Sequence, residues 1–117
     1  MGSRGASAGG SGVPSGWKIV DYKYGIPVLQ PTNPKQSLSL PSKSNIPGVS
    51  YILLDRNGNF KQMRIYGEDN NPVKDIDYHP VNGKRFLHKH EYINGVRQKE
   101  HTPLTKSEHD EYDKFLE

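Results

Sequence analysis

Three Asn-Gly pairs, Asn57-Gly58, Asn82-Gly83 and Asn94-Gly95, punctuate the second half of the chain. Both residues tolerate a positive φ, so the pair closes tight hairpins whose twist matches that of right-twisted strands. Segments between such pairs are committed to antiparallel pairing. Ser50 to Asp55, Phe60 to Tyr66, Val73 to His79 and Lys84 to Ile93 are rich in strand formers and read as four strands. Gly67 to Pro72 supplies a further turn, and Val96 to His101 reads as a short edge strand. The pattern predicts an antiparallel meander of four to five strands.

The flanks differ in character. Residues 1–16 (MGSRGASAGGSGVPSG) are Gly/Ser-rich with little apolar content and read as a flexible linker or tag. Residues 17–117 are expected to form a single small domain. Trp17 to Val28 alternates in part and reads as one short strand. Pro27, Pro31, Pro34, Pro41 and Pro47 follow, at a density that forbids a helix and discourages a central strand. This stretch reads as an irregular arm, with Leu38 and Leu40 as its contacts to the core. At the other end, Thr105 and Glu108 have the spacing of a capping box. Tyr112, Phe115 and Leu116 would then form the apolar stripe of a C-terminal helix. The class expected is α+β: the meander, the helix on one face, and the Pro-rich N-terminal arm.

Composition excludes several chemistries. There is no cysteine, so disulfides, thiolate metal sites and cysteine nucleophiles are out. Only 32% of residues are hydrophobic, and Gly and Pro number 12 and 9, so the core should be modest. No apolar run is long enough to span a membrane, so no membrane anchor is expected, and no signal peptide. Phosphate-binding Gly loops, a nucleophile-elbow Ser and the zinc-deaminase signature are absent. Sixteen Lys and Arg against 13 Asp and Glu give a net charge of +3, which permits an anionic partner without requiring one. Locally the bias is stronger: Lys84, Arg85, Lys89, Arg97 and Lys99, with Lys74 upstream, surround one acid, Glu91.

Alternation along strands gathers the polar residues. Asp75, Asp77 and His79 point one way on their strand, as do Phe86, His88, His90 and Tyr92 on the next and Arg64 and Tyr66 on the one before. A shared face would bring these sets together. Two imidazoles suit metal-free RNA cleavage, one removing the ribose 2′-OH proton and the other protonating the departing 5′-oxygen. His79 with His88 or His90 would be the acid and base. Asp75 or Asp77 would orient a histidine, Arg64 and Lys84 would bind phosphate, and Tyr66, Phe86 or Tyr92 would stack on a base. No cofactor enters this reading. The alternative is a metal-dependent nuclease with His88, His90 and Asp77 as ligands. The bland reading stands beside both: charged pairs across strands and surface histidines, His101 and His109 among them.

Arg64-x-Tyr66, a Gly/Asn turn with Pro72, Asp75-Ile76-Asp77-Tyr78-His79 and then His88-x-His90 resemble a pattern in C-terminal domains of bacterial polymorphic and contact-dependent toxins and related prophage-borne proteins. The resemblance covers about residues 50 to 100. It implies a monomeric nuclease secreted or delivered from the producing cell, acting on RNA in the target-cell cytoplasm, with a cognate immunity protein that plugs its site. The chain departs from the usual plan where Pro27 to Pro47 replace the expected N-terminal helices. A non-catalytic interaction module of a phage or surface protein is the third reading.

Overall fold

The computed structural model describes residues 12–36 and 39–116. Most of the expected linker, residues 1–11, and the predicted core contact Leu38 lie outside them. The architecture is α+β, with an eight-stranded sheet rather than four or five strands. The strands are β1 (Trp17–Lys23), β2 (Ile26–Pro31), β3 (Ser50–Leu54), β4 (Phe60–Tyr66), β5 (Pro72–Val81), β6 (Lys84–Ile93), β7 (Val96–Arg97) and β8 (Thr102–Pro103). They lie in sequence order from β1 to β7, and β8 also pairs with β6.

Three features account for the difference. What reads as one strand from Trp17 to Val28 is a hairpin, turned at Tyr24 and Gly25, both with positive φ. It carries no Asn-Gly signal. β2 lies inside the sheet despite Pro27 and Pro31, because only Val28 and Leu29 pair with β3 and the prolines sit outside that two-residue ladder. The β2–β3 pair is parallel, so the sheet is mixed and not a pure meander. A parallel neighbour cannot be reached by a tight turn, and the Pro-rich arm is the crossover that reaches it. Finally, the predicted edge strand from Val96 to His101 splits into β7 and β8. Arg97 pairs with Tyr92 and Thr102 with Lys89, so five steps along one side face three along β6. The segment Gln98–His101 bulges to absorb the two extra residues.

The Asn-Gly hairpins stand where expected. Asn82 and Asn94 have positive φ, as do Gly58, Gly83 and Gly95. At the first, Asp55 Oδ1 accepts from the Asn57 and Asn59 N–H groups.

Two apolar clusters lie on opposite faces of the sheet. Val28, Ile52, Phe60, Met63, Ile76 and Leu87 pack with Leu104, Tyr112 and Phe115 from the C-terminal segment. Helix α1 (Lys106–Tyr112) is capped by Thr105, whose side chain accepts from the Glu108 N–H while the Glu108 carboxylate accepts from the Thr105 N–H. The chain then tightens into a 3-10 turn, Asp113–Leu116. At three residues per turn Phe115 follows Tyr112 into the core, and Leu116 is rotated out to 40% exposure, not completing the predicted stripe. Glu108 also binds Lys74 and Lys89 at 3.1 and 2.9 Å, tying the helix to β5 and β6.

On the other face, Trp17, Leu29, Leu40, Tyr51, Leu53 and Tyr66 form the second cluster, with Val13 packed against it. The arm covers them through Leu40, as predicted. This cluster occupies the β1–β4 half of the face. The β4–β7 half is polar. Among the described residues no helix is long and apolar enough to cross a membrane.

Candidate functional site: a histidine and carboxylate face

The register sets the site. Arg64 faces Asp75 and Gln62 faces Asp77 across β4 and β5. Asp75 faces His90, Asp77 faces His88 and His79 faces Phe86 across β5 and β6. The three alternating sets therefore converge on one face, opposite the helix.

The carboxylates form its base. Asp75 is fully buried. Its Oδ1 accepts from Arg64 Nε at 2.8 Å, and its Oδ2 accepts from Arg64 Nη2 at 3.0 Å, Tyr92 Oη at 2.9 Å and Arg97 Nε at 2.8 Å. Asp77 Oδ1 accepts from Gln62 Nε2 at 2.9 Å and Oδ2 from Arg97 Nη2 at 2.7 Å. Arg97 thus bridges both acids. Burial alone would lower the pKa of Arg64, but the hydrogen bond and charge of Asp75 outweigh it and raise the value. Burial and the Asp75 charge push the Tyr92 phenol up to about 12. A buried pair of this kind is strongly interdependent, since removing one member strands the other charge.

Beside the acids on the same face lie four imidazoles. The His88 ring centroid is 4.3 Å from that of His79, 5.5 Å from that of His90 and 4.7 Å from that of His101. Phe86 packs edge-on against His88 at 5.5 Å. His88 is 0% exposed, and among the described residues neither of its ring nitrogens has a hydrogen-bond partner. Burial, then the neighbouring His79, lowers its pKa, with Asp77 opposing the shift. His90 is also buried. Its Nδ1 lies 2.9 Å from the Gln98 carbonyl oxygen, which can only accept, so Nδ1 carries the proton. That leaves Nε2 facing Asp77 Oδ2 at 3.6 Å, beyond a good hydrogen bond. His79 and His101 are exposed.

Several predicted roles are altered by these positions. Arg64 is buried, bonded to Asp75 and to the Leu40 and Pro41 carbonyl oxygens, so it is a structural cation and not a phosphate ligand. Tyr66 is buried and donates to the Pro41 carbonyl oxygen, so no base can stack on it. Tyr92 is half-buried, tied to Asp75. Phe86 keeps an exposed ring, and Lys84, two positions before it on the same face, is exposed. His88 and His90 lie too deep to meet a substrate directly, whereas His79 can. Among the described residues no histidine bonds to Asp75; Asp77 is the carboxylate beside one.

Two functional candidates are missing from the sequence reading. His101 reads as a surface loop residue until the bulge before β8 brings its ring onto His88. Arg97 counts there only as one basic residue among several; its half-exposed side chain, 38% accessible, binds both acids. Conversely, the basic residues do not form one patch. Lys74 and Lys89 turn to the helix face and bind Glu108, and Arg85 lines a hollow there with Phe115. That hollow, the one along β2 and the one beside Val96 to Thr102 contain none of the histidines. The site lies on a sheet face.

No protein-family model, no curated protein and no solved structure matches the chain.

Proposed function

We propose that this is a toxin ribonuclease domain that cleaves RNA in a target bacterial cell by metal-free acid/base catalysis on the histidine face, with a cognate immunity protein covering that face. The observation that carries the reading is the packing of His79 and His101 against one buried imidazole, His88, beside a guanidinium anchored by two acids. His79 and His101 are the exposed imidazoles, so they do the proton transfers. One, neutral, takes the 2′-OH proton as O2′ attacks phosphorus. The other, protonated, gives its proton to O5′ as the P–O5′ bond breaks. Imidazole suits both tasks at neutral pH. Arg97 offsets charge on the phosphorane, Lys84 holds a flanking phosphate, and Phe86 stacks on an unpaired base. His88 and Asp77 are positioning residues.

The test is incubation of the folded protein with total RNA and with supercoiled plasmid. RNA is degraded and the plasmid survives. His79→Ala and His101→Ala each slow RNA loss by about 10²- to 10⁴-fold, and His109→Ala, on the helix, does not. Intact RNA after incubation with folded wild-type protein contradicts the proposal and favours a non-catalytic interaction module. Plasmid cleavage favours a second reading, hydrolysis by a metal ion held on Asp77, His88 and His90, whose ligand atoms lie close together.

A further inference from the structure

The structure assigns a transition-metal site, suited to zinc, to Asp77, His88 and His90, beneath the exposed histidines. It stands apart from the ribonuclease reading, because an ion there clamps β5 to β6 whether or not RNA is cut.

Each of the three residues offers one ligand atom, and these atoms all lie within 4.8 Å of one another. Zinc bonds of about 2.0 to 2.2 Å in tetrahedral array separate ligand atoms by about 3.4 Å. Small side-chain rotations close that difference, and the backbone positions already suit it. Asp77 and His88 are direct partners across the β5–β6 ladder, and His90 is the next residue along the same face of β6.

Three further observations point to a cation. His88 is enclosed with both ring nitrogens unpartnered, an arrangement that proteins rarely leave unless something else fills the role. His90 is held by donation from Nδ1–H to the Gln98 carbonyl oxygen, which leaves Nε2 as the ring atom facing Asp77. Metal-ligating histidines are oriented by this kind of outer hydrogen bond. Asp77 is in turn steadied through Oδ1 by Gln62. Two imidazoles and a carboxylate, with no thiolate in the chain, match zinc and leave a position for water or a phosphate oxygen.

Arg97 is the competing cation. Its Nη2 lies 2.7 Å from Asp77 Oδ2, on the oxygen nearest His90 Nε2. The side chain is partly exposed and also bound to Asp75 through Nε, so it can yield Asp77 while keeping Asp75. A metal ion therefore displaces one arm of the Arg97 bridge.

The test uses the full chain, stripped with chelator and without RNA. Zn(II) uptake is measured by calorimetry, and Co(II) is added as a spectroscopic probe. One Zn(II) binds per chain, and Co(II) develops the visible absorption of a low-symmetry, four-coordinate complex. His88→Gln and Asp77→Asn weaken binding on the order of 100-fold, while His109→Ala leaves it unchanged. Arg97→Gln tightens it by about tenfold, since a like charge leaves the site. Failure of the folded wild-type chain to take up Zn(II) overturns the assignment, and that result does not depend on any variant folding. Full affinity in folded His88→Gln and Asp77→Asn also overturns it, and would move the ion to His79 and His101. Neither outcome tests metal-free cleavage by His79 and His101, which is measured separately; failure of uptake would remove only the metal-dependent reading.

Discussion

Asp75 holds together more of the site than any histidine does. Two guanidinium groups and a phenol converge on a carboxylate with no solvent exposure. Asp75→Asn leaves Arg64 buried beside a neutral partner, and the expected loss is about 3 to 5 kcal/mol, measured by urea unfolding. A loss below about 1 kcal/mol would mean Arg64 is solvated, as surface pairs are. His88 behaves in the opposite sense. Its two orphaned nitrogens make it a destabilising group, so His88→Leu in metal-free protein holds or raises stability by about 1 kcal/mol while removing the zinc site. Tyr51 is the control, since its buried hydroxyl also lacks a partner and Tyr51→Phe should likewise be neutral or stabilising. A substantial loss in either variant would show that these polar atoms are satisfied. Strand alternation sorts Arg64, then Asp75, Asp77 and His79, then His88 and His90 each onto one face of their own strand, because the period of two is a property of the backbone; the register that joins the three sets is not written in it. It cannot say which of them reach water. It also misses Arg97 and His101, whose positions depend on where the edge strand breaks.

At the level of elements, helix α1 is fixed by Glu108, which serves its N-terminus and two lysines on the sheet. Burial opposes its ionisation, yet the Thr105 N–H and the Lys89 and Lys74 ammonium groups hold its carboxyl from 4.5 down to about 2. A carboxyl whose folded pKa is depressed contributes stability above its unfolded value. That contribution is complete above 4.5 and is lost as pH falls toward 2. Subtracting the acid-melting curve of Glu108→Gln from that of the wild type should isolate this loss. Glu108→Gln itself should cost about 1 to 2 kcal/mol at neutral pH. A difference curve that is flat between these pH values would place the lysines away from Glu108. The capping box was legible as Thr105 and Glu108, and the later hairpins as Asn-Gly pairs, because each is a local signal. The Tyr24-Gly25 hairpin and the parallel β2–β3 pair were not legible. The hairpin turns without an Asn-Gly signal, and the parallel pair joins Val28 and Leu29 to Ile52 and Leu53 across a long crossover, which no local pattern records.

Over the whole molecule, the sheet separates two tasks. One face is apolar and covered by the C-terminal segment. The other is half apolar, closed by the proline-rich arm, and half a polar array of acids, guanidinium groups and imidazoles. The arm joins the two halves, since the Leu40 and Pro41 carbonyl oxygens bind Arg64, which binds Asp75. With the basic residues divided between faces and a net charge of +3, the ribonuclease proposal requires affinity for RNA to come from Lys84, Arg97 and base stacking, not from a broad positive surface. The most direct check of the ribonuclease account is a set of single-stranded DNA oligonucleotides, each carrying one ribonucleotide, with all four bases represented. The account predicts scission only on the 3′ side of the ribose, with a 2′,3′-cyclic phosphate on one fragment and a 5′-hydroxyl on the other. Cutting at deoxy positions, fragments ending in 3′-hydroxyl and 5′-phosphate, or no scission of any member of the set would contradict it.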